Sequence, residues 1–438
     1  MNKIFASVGI VALGAASVHA QNSSLTAPAA KWWNVQATVR GFYDDNVNSV
    51  RNPGPKDHVY GFEVKPKVGV NFGNDQTTFE ADYAYTFLHY DKRPVGNTQR
   101  YDQDHTFSAA LSHAFSERYA LHVRDSFVIG QEPDALRNDG AIHTPYRVAG
   151  DNIVNSGGIT FTAEMSPTLS TEIGYDNAWY DYKDHFSGAA FGSKNVDING
   201  VIHASVSGVL DRIEQTPHVA LLWHVMPNTT ASLGYRFSQI NYTANEPIIG
   251  TEPAPFVRSS IRDNRSHTVY LGVDHQFRPD FYGSAQAGVS YYDYYNLNTT
   301  SFGPYARLSL TYVYMQESSL TVGFQEGRAA TDVLGAGSAS NIVRDSEASV
   351  IFGTLRQRII PNLFADLNGS FQNSSFQGGG STFDNKSEDF YEFGAQLEYQ
   401  FNPHISAHVG YDFDHLDSQI AGRSYTRNKI YIGATASY

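Results

Sequence analysis

The chain has no cysteine at any of its 438 positions. That excludes a disulfide framework, a thiol nucleophile and thiolate metal sites. It has no excess of base: 31 Lys and Arg face 44 Asp and Glu, a net charge of −13, which argues against nucleic acid as a partner. Beyond residue 20 it has no apolar run near the roughly 18 residues that a membrane helix needs. It also lacks the Gly-x-Ser-x-Gly elbow, the His-Glu-x-x-His pair and a phosphate loop, so it is not expected to be an enzyme. No acidic stretch has the spacing of a calcium loop, and neither a metal nor any other cofactor is expected. What the chain does have is aromatic side chains. Four Trp, 28 Tyr and 27 Phe make up 13% of it.

The first twenty residues read as an export signal. Lys3 provides the positive start, residues 4–16 are apolar, and Val18-His19-Ala20 places short side chains before a cut at Gln21. With no cysteine after the cut, a lipid anchor is not expected. Residues 21–32 would then be a short periplasmic lead, too short for a plug domain, and residues 33–438 the folded body.

From there the pattern has period two. Phe62, Val64, Pro66, Val68, Val70 and Phe72 alternate with Glu63, Lys65, Lys67, Gly69 and Asn71. After a turn at 73–76, Phe79, Ala81, Tyr83, Tyr85 and Phe87 alternate with Thr78, Glu80, Asp82, Ala84 and Thr86. The same texture returns from Tyr391 to Phe401 and from Ile405 to Phe413. Each is a strand with one oily and one wet face. Runs of eleven residues exceed the five or six usual in a soluble sandwich and match a tilted strand that crosses a bilayer.

Connections alternate in length. Short turns fall near 73–76, 116–118, 166–168, 226–228, 278–280, 315–317, 358–362 and 402–404. Five carry a proline: Pro167, Pro227, Pro279, Pro361 and Pro403. Long polar connections lie near 44–58, 91–104, 131–151, 183–210, 244–264, 296–303, 330–344, 374–388 and 416–424. Seventeen connections make eighteen strands, give or take two because 196–209 could hide a short hairpin, with sixteen as the alternative count. The expected fold is all-β: one transmembrane antiparallel up-and-down barrel with short periplasmic turns and long extracellular loops. Gly-Tyr follows the turn proline by seven residues at Gly174, Gly234 and Gly410, a weak internal repeat. Phe72, Phe79, Phe115, Tyr119, Trp223, Phe277, Phe281, Phe364 and Phe401 flank short turns, as a periplasmic aromatic girdle would. The last residues alternate up to Tyr438, so the closing strand should pair with the first, near Trp33 to Tyr43, since an unpaired edge in lipid costs several kcal/mol per group.

The leader, the long amphipathic strands, the proline-bearing turns and the terminal aromatic strand resemble the porin-like barrels of bacterial outer membranes. The most similar group is the putative β-barrel porin 2 family. The resemblance implies a location in the outer membrane and contact with its lipid. It also implies insertion by the assembly machinery through Tyr438 as a signal, and leaves a homo-oligomer open. Some relatives accompany exopolysaccharide secretion, so the resemblance supports two functions: passive diffusion of small hydrophilic solutes, and a part in polysaccharide export.

Charges on the wet face locate the candidate site. Arg40, Lys65, Lys67, Arg427 and Lys429 should converge at the closing seam, flanked by Glu80, Asp82, Glu392, Glu398, Asp412 and Asp414. Two readings follow: a transverse field that orients solutes in transit, or mutual salt bridges that merely hold the wall. The connection 183–210, with Phe186 and Phe191, is the candidate for a loop folded inward as a constriction. Acids outnumber bases, which favours the diffusion reading over export of an anionic polymer.

Overall fold

A computed structural model describes residues 31–438 except 48, 50, 51, 53, 55, 57, 93–99, 131–141, 143–150, 188–192, 252–255 and 336–340. The export signal at 1–20 and Phe191 lie outside the described residues. The first nine strands are β1 (Trp33–Asp44), β2 (Val59–Gly73), β3 (Thr77–Tyr90), β4 (Tyr101–Ala114), β5 (Tyr119–Gly130), β6 (Asn152–Ser166), β7 (Leu169–Tyr182), β8 (Arg212–Met226) and β9 (Thr229–Tyr242). A small loop hairpin follows, β10 (Pro247–Gly250) with β11 (Phe256–Arg258). The wall resumes with β12 (Asn264–Arg278), β13 (Phe281–Tyr294), β14 (Thr299–Met315), β15 (Ser318–Ala329), β16 (Val343–Ile360), β17 (Leu363–Gly378), β18 (Ser387–Asn402), β19 (Ile405–Ser418) and β20 (Tyr425–Ser437).

Every wall strand pairs antiparallel with its neighbours in sequence order, giving one 18-stranded sheet. β1 closes it against β20 from Gln36↔Ser437 to Asp44↔Lys429, and the hydroxyls of Thr38 and Thr435 meet at 2.9 Å across that seam. Tyr438 extends the ladder: its N–H donates to Val35 O at 2.8 Å, and Val35 N–H returns 3.1 Å to Tyr438 O. The loop at 196–209 holds a helical turn, α1 (Val206–Leu210), and isolated bridges, so it adds no wall strand and the count is eighteen.

Alternation sets the two faces. On β20, Tyr431 is 7% exposed while its neighbour Ile432 is 68% exposed. Val35, Val39, Val68, Leu233, Val269, Leu271, Ile351 and Val409 are likewise exposed large apolar residues on the outer parity, a band that only lipid can cover. Several polar residues on that parity pair with one another. Asn155 Nδ2 donates to Asp125 at 3.0 Å, Asn373 to Asp389 at 2.6 Å and Asn428 to Asp45 at 2.7 Å.

The eight short turns stand where the prolines and turn residues place them. The proline turns show why. Proline cannot adopt the positive φ of the usual two-residue hairpin, and an ordinary turn would splay the strands. A register shift just before Pro167, Pro227, Pro279, Pro361 and Pro403 supplies the extra twist. Aromatic and histidine rings then line the rim in matched units. His113 and His275 each accept or donate at 2.8 Å with Thr77 and Thr229, and each packs 4.5 Å from Phe115 and Phe277.

Three expectations need correction. The long connections are shorter than the alternation suggests: β4 starts at Tyr101, and only residues 295–298 separate β13 from β14. Above the lipid both faces of a strand are wet, so the ladder continues where the oily alternation has stopped. Phe364 is not in the girdle. It is 2% exposed and shares the inward parity of Asp366, because nearness to a turn sets depth whereas parity sets the face. Finally, the inner face is not uniformly polar. Phe42, Val59, Leu88, Tyr90 and Tyr431 form one apolar cluster, and Phe390, Leu416 and Tyr425 another, both toward the extracellular mouth.

Candidate functional site

The lumen wall is built from inward positions, and glycine decides how flat it lies. On β6, a Cβ at Gly158 would stand 2.5 Å from Asp176 Oδ1 and 3.1 Å from Arg124 Nε. Without that Cβ, Arg124 of β5 reaches across the glycine to Asp176 of β7 at 2.8 Å. Gly69 on β2 opens the same trough for Asn34 and Asp82. The Gly-Tyr repeat has the same logic. Gly174, Gly234 and Gly410 face directly opposite His218, Tyr270 and Tyr431, whose rings lie where a Cβ would be. A side chain that lies over a glycine stays against the wall and out of the bore.

The seam residues are all on the inward parity, and three of the five bases, Arg40, Lys67 and Arg427, are ion-paired. Arg40 Nη2 donates to Glu63 Oε2 at 2.6 Å with its guanidinium 4.8 Å from the Tyr431 ring. Lys67 Nζ is 3.2 Å from Asp82 Oδ1. Arg427, 2% exposed, donates from Nε to Asp44 Oδ2 at 2.8 Å, contacts the same oxygen through Nη2, and reaches Asp414 at 3.4 Å. It therefore ties β1 and β19 to β20. Lys429 stands opposite Asp412 in register and lies 4.9 Å from the Phe42 ring. Glu392 accepts from Ser370 at 2.7 Å, and Glu80 from Asn71 at 3.2 Å. Glu398 faces inward near the periplasmic turn, opposite Phe364 and His408. Lys65 faces inward without an ion pair among the described residues.

A second cluster on the far wall was not singled out in the sequence. Asp176 holds Arg124, His218 at 3.5 Å and Arg236 at 3.7 Å, while His218 is 3.9 Å from Glu172. Arg356 pairs with Asp366 at 3.2 Å, and Arg307 of β14 faces inward near Tyr305. Parity could have found them: Arg307 sits between Ala306 and Leu308, both oily and outward.

The extracellular mouth carries a packed cap. Loop 183–211 docks on loop 243–263, where Glu246 accepts the Phe186 N–H at 2.8 Å and contacts the Ser205 hydroxyl. Ile248, Ile249 and Ile342 form its apolar core. Arg262, 0% exposed, ties three loops: it donates to Thr331 O at 2.8 Å and Val209 O at 2.5 Å and stacks 4.2 Å from Tyr242. Arg423 joins Asp332 at 2.6 Å to Glu388. Phe186 thus belongs to the cap. Of the connection 131–151, Ile142 lies against β15, its Cδ1 3.8 Å from where a Cβ on Gly327 would be. β15 is eight strands from β5, so this residue reaches the opposite side of the barrel.

Asp211, at the base of the cap, accepts the Tyr182 N–H at 2.7 Å. Burial, with Asp181 and Glu246 nearby and against the pull of His185 and that N–H, pushes its carboxyl up to about 7. The folded state therefore keeps a proton that the unfolded chain has released above its ordinary value near 4. Stability falls as pH rises through that window, and is flat above about 7. Amides of α1, such as Val209 N–H bonded to Ser205 O at 3.2 Å, should be better protected from hydrogen exchange at pH 5 than at pH 8 after correction for intrinsic rates. Asp211→Asn should remove the difference, and equal protection in the unmodified protein would refute it.

A closed antiparallel barrel with an oily outer band and a charged, polar bore is a porin-like channel fold of the outer membrane. The family model described as Putative beta-barrel porin 2 matches residues 321–438, which run from within β15 to the end of the chain. Among solved structures, OccAB4 of Acinetobacter baumannii is 11% identical with a TM-score of 0.41 over 93% of this chain and 99% of that one. The outer membrane protein opdK of Pseudomonas aeruginosa is 10% identical at 0.41 over the same shares. A BenF-like porin of Pseudomonas fluorescens is 11% identical at 0.42 over the same shares. No curated protein matches the chain in sequence.

Proposed function

We propose that the protein is a passive diffusion channel for small hydrophilic solutes. An 18-stranded barrel is wide enough to leave an aqueous bore. The observation that carries the reading is the wall itself: inward charges are neutralised by neighbours across glycine troughs, as with Arg124 and Asp176, so they line the bore without filling it. Residues 1–20 act as the export leader, Tyr438 as the assembly signal, and the cap built on loop 183–211 narrows the outer mouth. The paired seam charges support a wall-holding role for Arg40, Lys67 and Arg427 over a broad transverse field. Liposome swelling with sugars of graded size, together with single-channel conductance of refolded protein, tests the function. Sugar uptake with a size cut-off and ohmic conductance are expected. A folded, heat-modifiable barrel that passes neither sugar nor ions would overturn it.

A further inference from the structure

We propose that Lys65 and Arg307 are the residues that set the channel's preference for anionic solutes. This rests on the diffusion reading above and names its selectivity determinants. The inward bases Arg40, Lys67, Arg124, Arg212, Arg236, Arg356, Arg358 and Arg427 each have a carboxylate within 4.0 Å. Among the described residues Lys65 and Arg307 have none. Lys429 and Arg344 also lack one, but Lys429 is buried against Phe42 and Arg344 lies 5.3 Å from the Tyr294 ring, both near the mouth.

The two unpaired bases share a depth. Lys65 stands opposite Thr38, five residues beyond Trp33 at the start of β1, and Arg307 opposite Gln286, five residues beyond Phe281 at the start of β13. Strands of one barrel share one tilt, so equal distances from the periplasmic rim are equal heights. β2 and β14 are the second and twelfth strands of eighteen, ten apart in one direction and eight in the other, and so lie nearly across the bore from each other. Among the described residues, the inward acids Glu80, Glu164, Asp274 and Glu398 have no ion pair and lie closer to the periplasmic turns, Glu80 three residues into β3 and the others opposite Ser170, Thr230 and Phe364, each one residue into its strand. An anion that enters meets neutralised pairs until mid-depth, where two uncompensated positive charges face it from both walls. A paired charge is cancelled at a distance of a few ångströms, whereas an unpaired one keeps its field across the bore to about a Debye length, roughly 8 Å at physiological salt.

Reversal potentials in a planar bilayer under a tenfold potassium chloride gradient test this. Lys65→Gln and Arg307→Gln should each lower the anion-to-cation permeability ratio by about twofold, and the double variant by more than either, with conductance retained. Lys429→Gln should leave the ratio unchanged. In the unmodified channel, pyrophosphate should reduce the chloride current, and either single variant should weaken that block severalfold. An unchanged ratio in both single variants, with pyrophosphate block intact, overturns the assignment and leaves the diffusion reading standing. Absence of conductance in the unmodified barrel would instead remove the diffusion reading on which it rests.

Discussion

Replacing Arg427 with leucine should lower the unfolding midpoint of the barrel more than any other single change on the wall. The guanidinium is buried between Asp44 of β1 and Asp414 of β19, whose side chains are themselves 1% and 7% exposed. Removing the cation of a buried ion cluster leaves its carboxylates without that compensating charge, at a cost of about 3–5 kcal/mol. The temperature at which the folded band converts to the unfolded one on a gel reads this directly. Arg427→Lys should recover part of the loss. Arg427→Leu with Asp44→Leu and Asp414→Leu should recover most of it, because no orphaned charge remains. A midpoint unchanged in Arg427→Leu would mean that the seam does not depend on this cluster.

Arg262→Leu should have the second largest effect, confined to the cap. Two carbonyls from two other loops, Val209 O and Thr331 O, lose their donor inside a dry cluster. Each buried acceptor left without a partner costs about 1–3 kcal/mol. Both carbonyls belong to loops, and the wall meets Arg262 at the Tyr242 ring on the end of β9, so heat-modified migration should stay normal. Loops 183–211 and 330–342 should become sensitive to limited proteolysis on intact cells, and single-channel current should become noisier. Protease resistance equal to that of the unmodified protein would show that the apolar core of Ile248, Ile249 and Ile342 holds the cap by itself.

Much of this architecture could be read from residue order alone, because a barrel wall repeats one local rule. Period-two alternation assigns Lys65 and Val64 to opposite faces without any knowledge of their neighbours, and Pro167 or Pro403 punctuates the chain wherever a hairpin turns. What could not be read is who sits beside whom. The partner of Arg124 is 52 residues away and is reached only because Gly158 intervenes on the strand between them. Whether Lys65 is paired and Lys67 is not, or the reverse, depends on register across two ladders, to which composition is blind. The cap is similarly hidden, since Arg262 and Val209 belong to separate irregular loops whose contact follows no period.

The hydroxyl contact between Thr38 and Thr435 joins positions 397 residues apart and turns a sheet into a ring. A ring has no end from which to fray. In an open sheet the outermost strand peels away at the loss of one ladder, but here every strand must break two, and the first one to leave creates two raw edges at once. Amide protection should therefore be nearly even around the circumference and vary only with height along the axis, with no strand serving as a weak point from which unfolding begins.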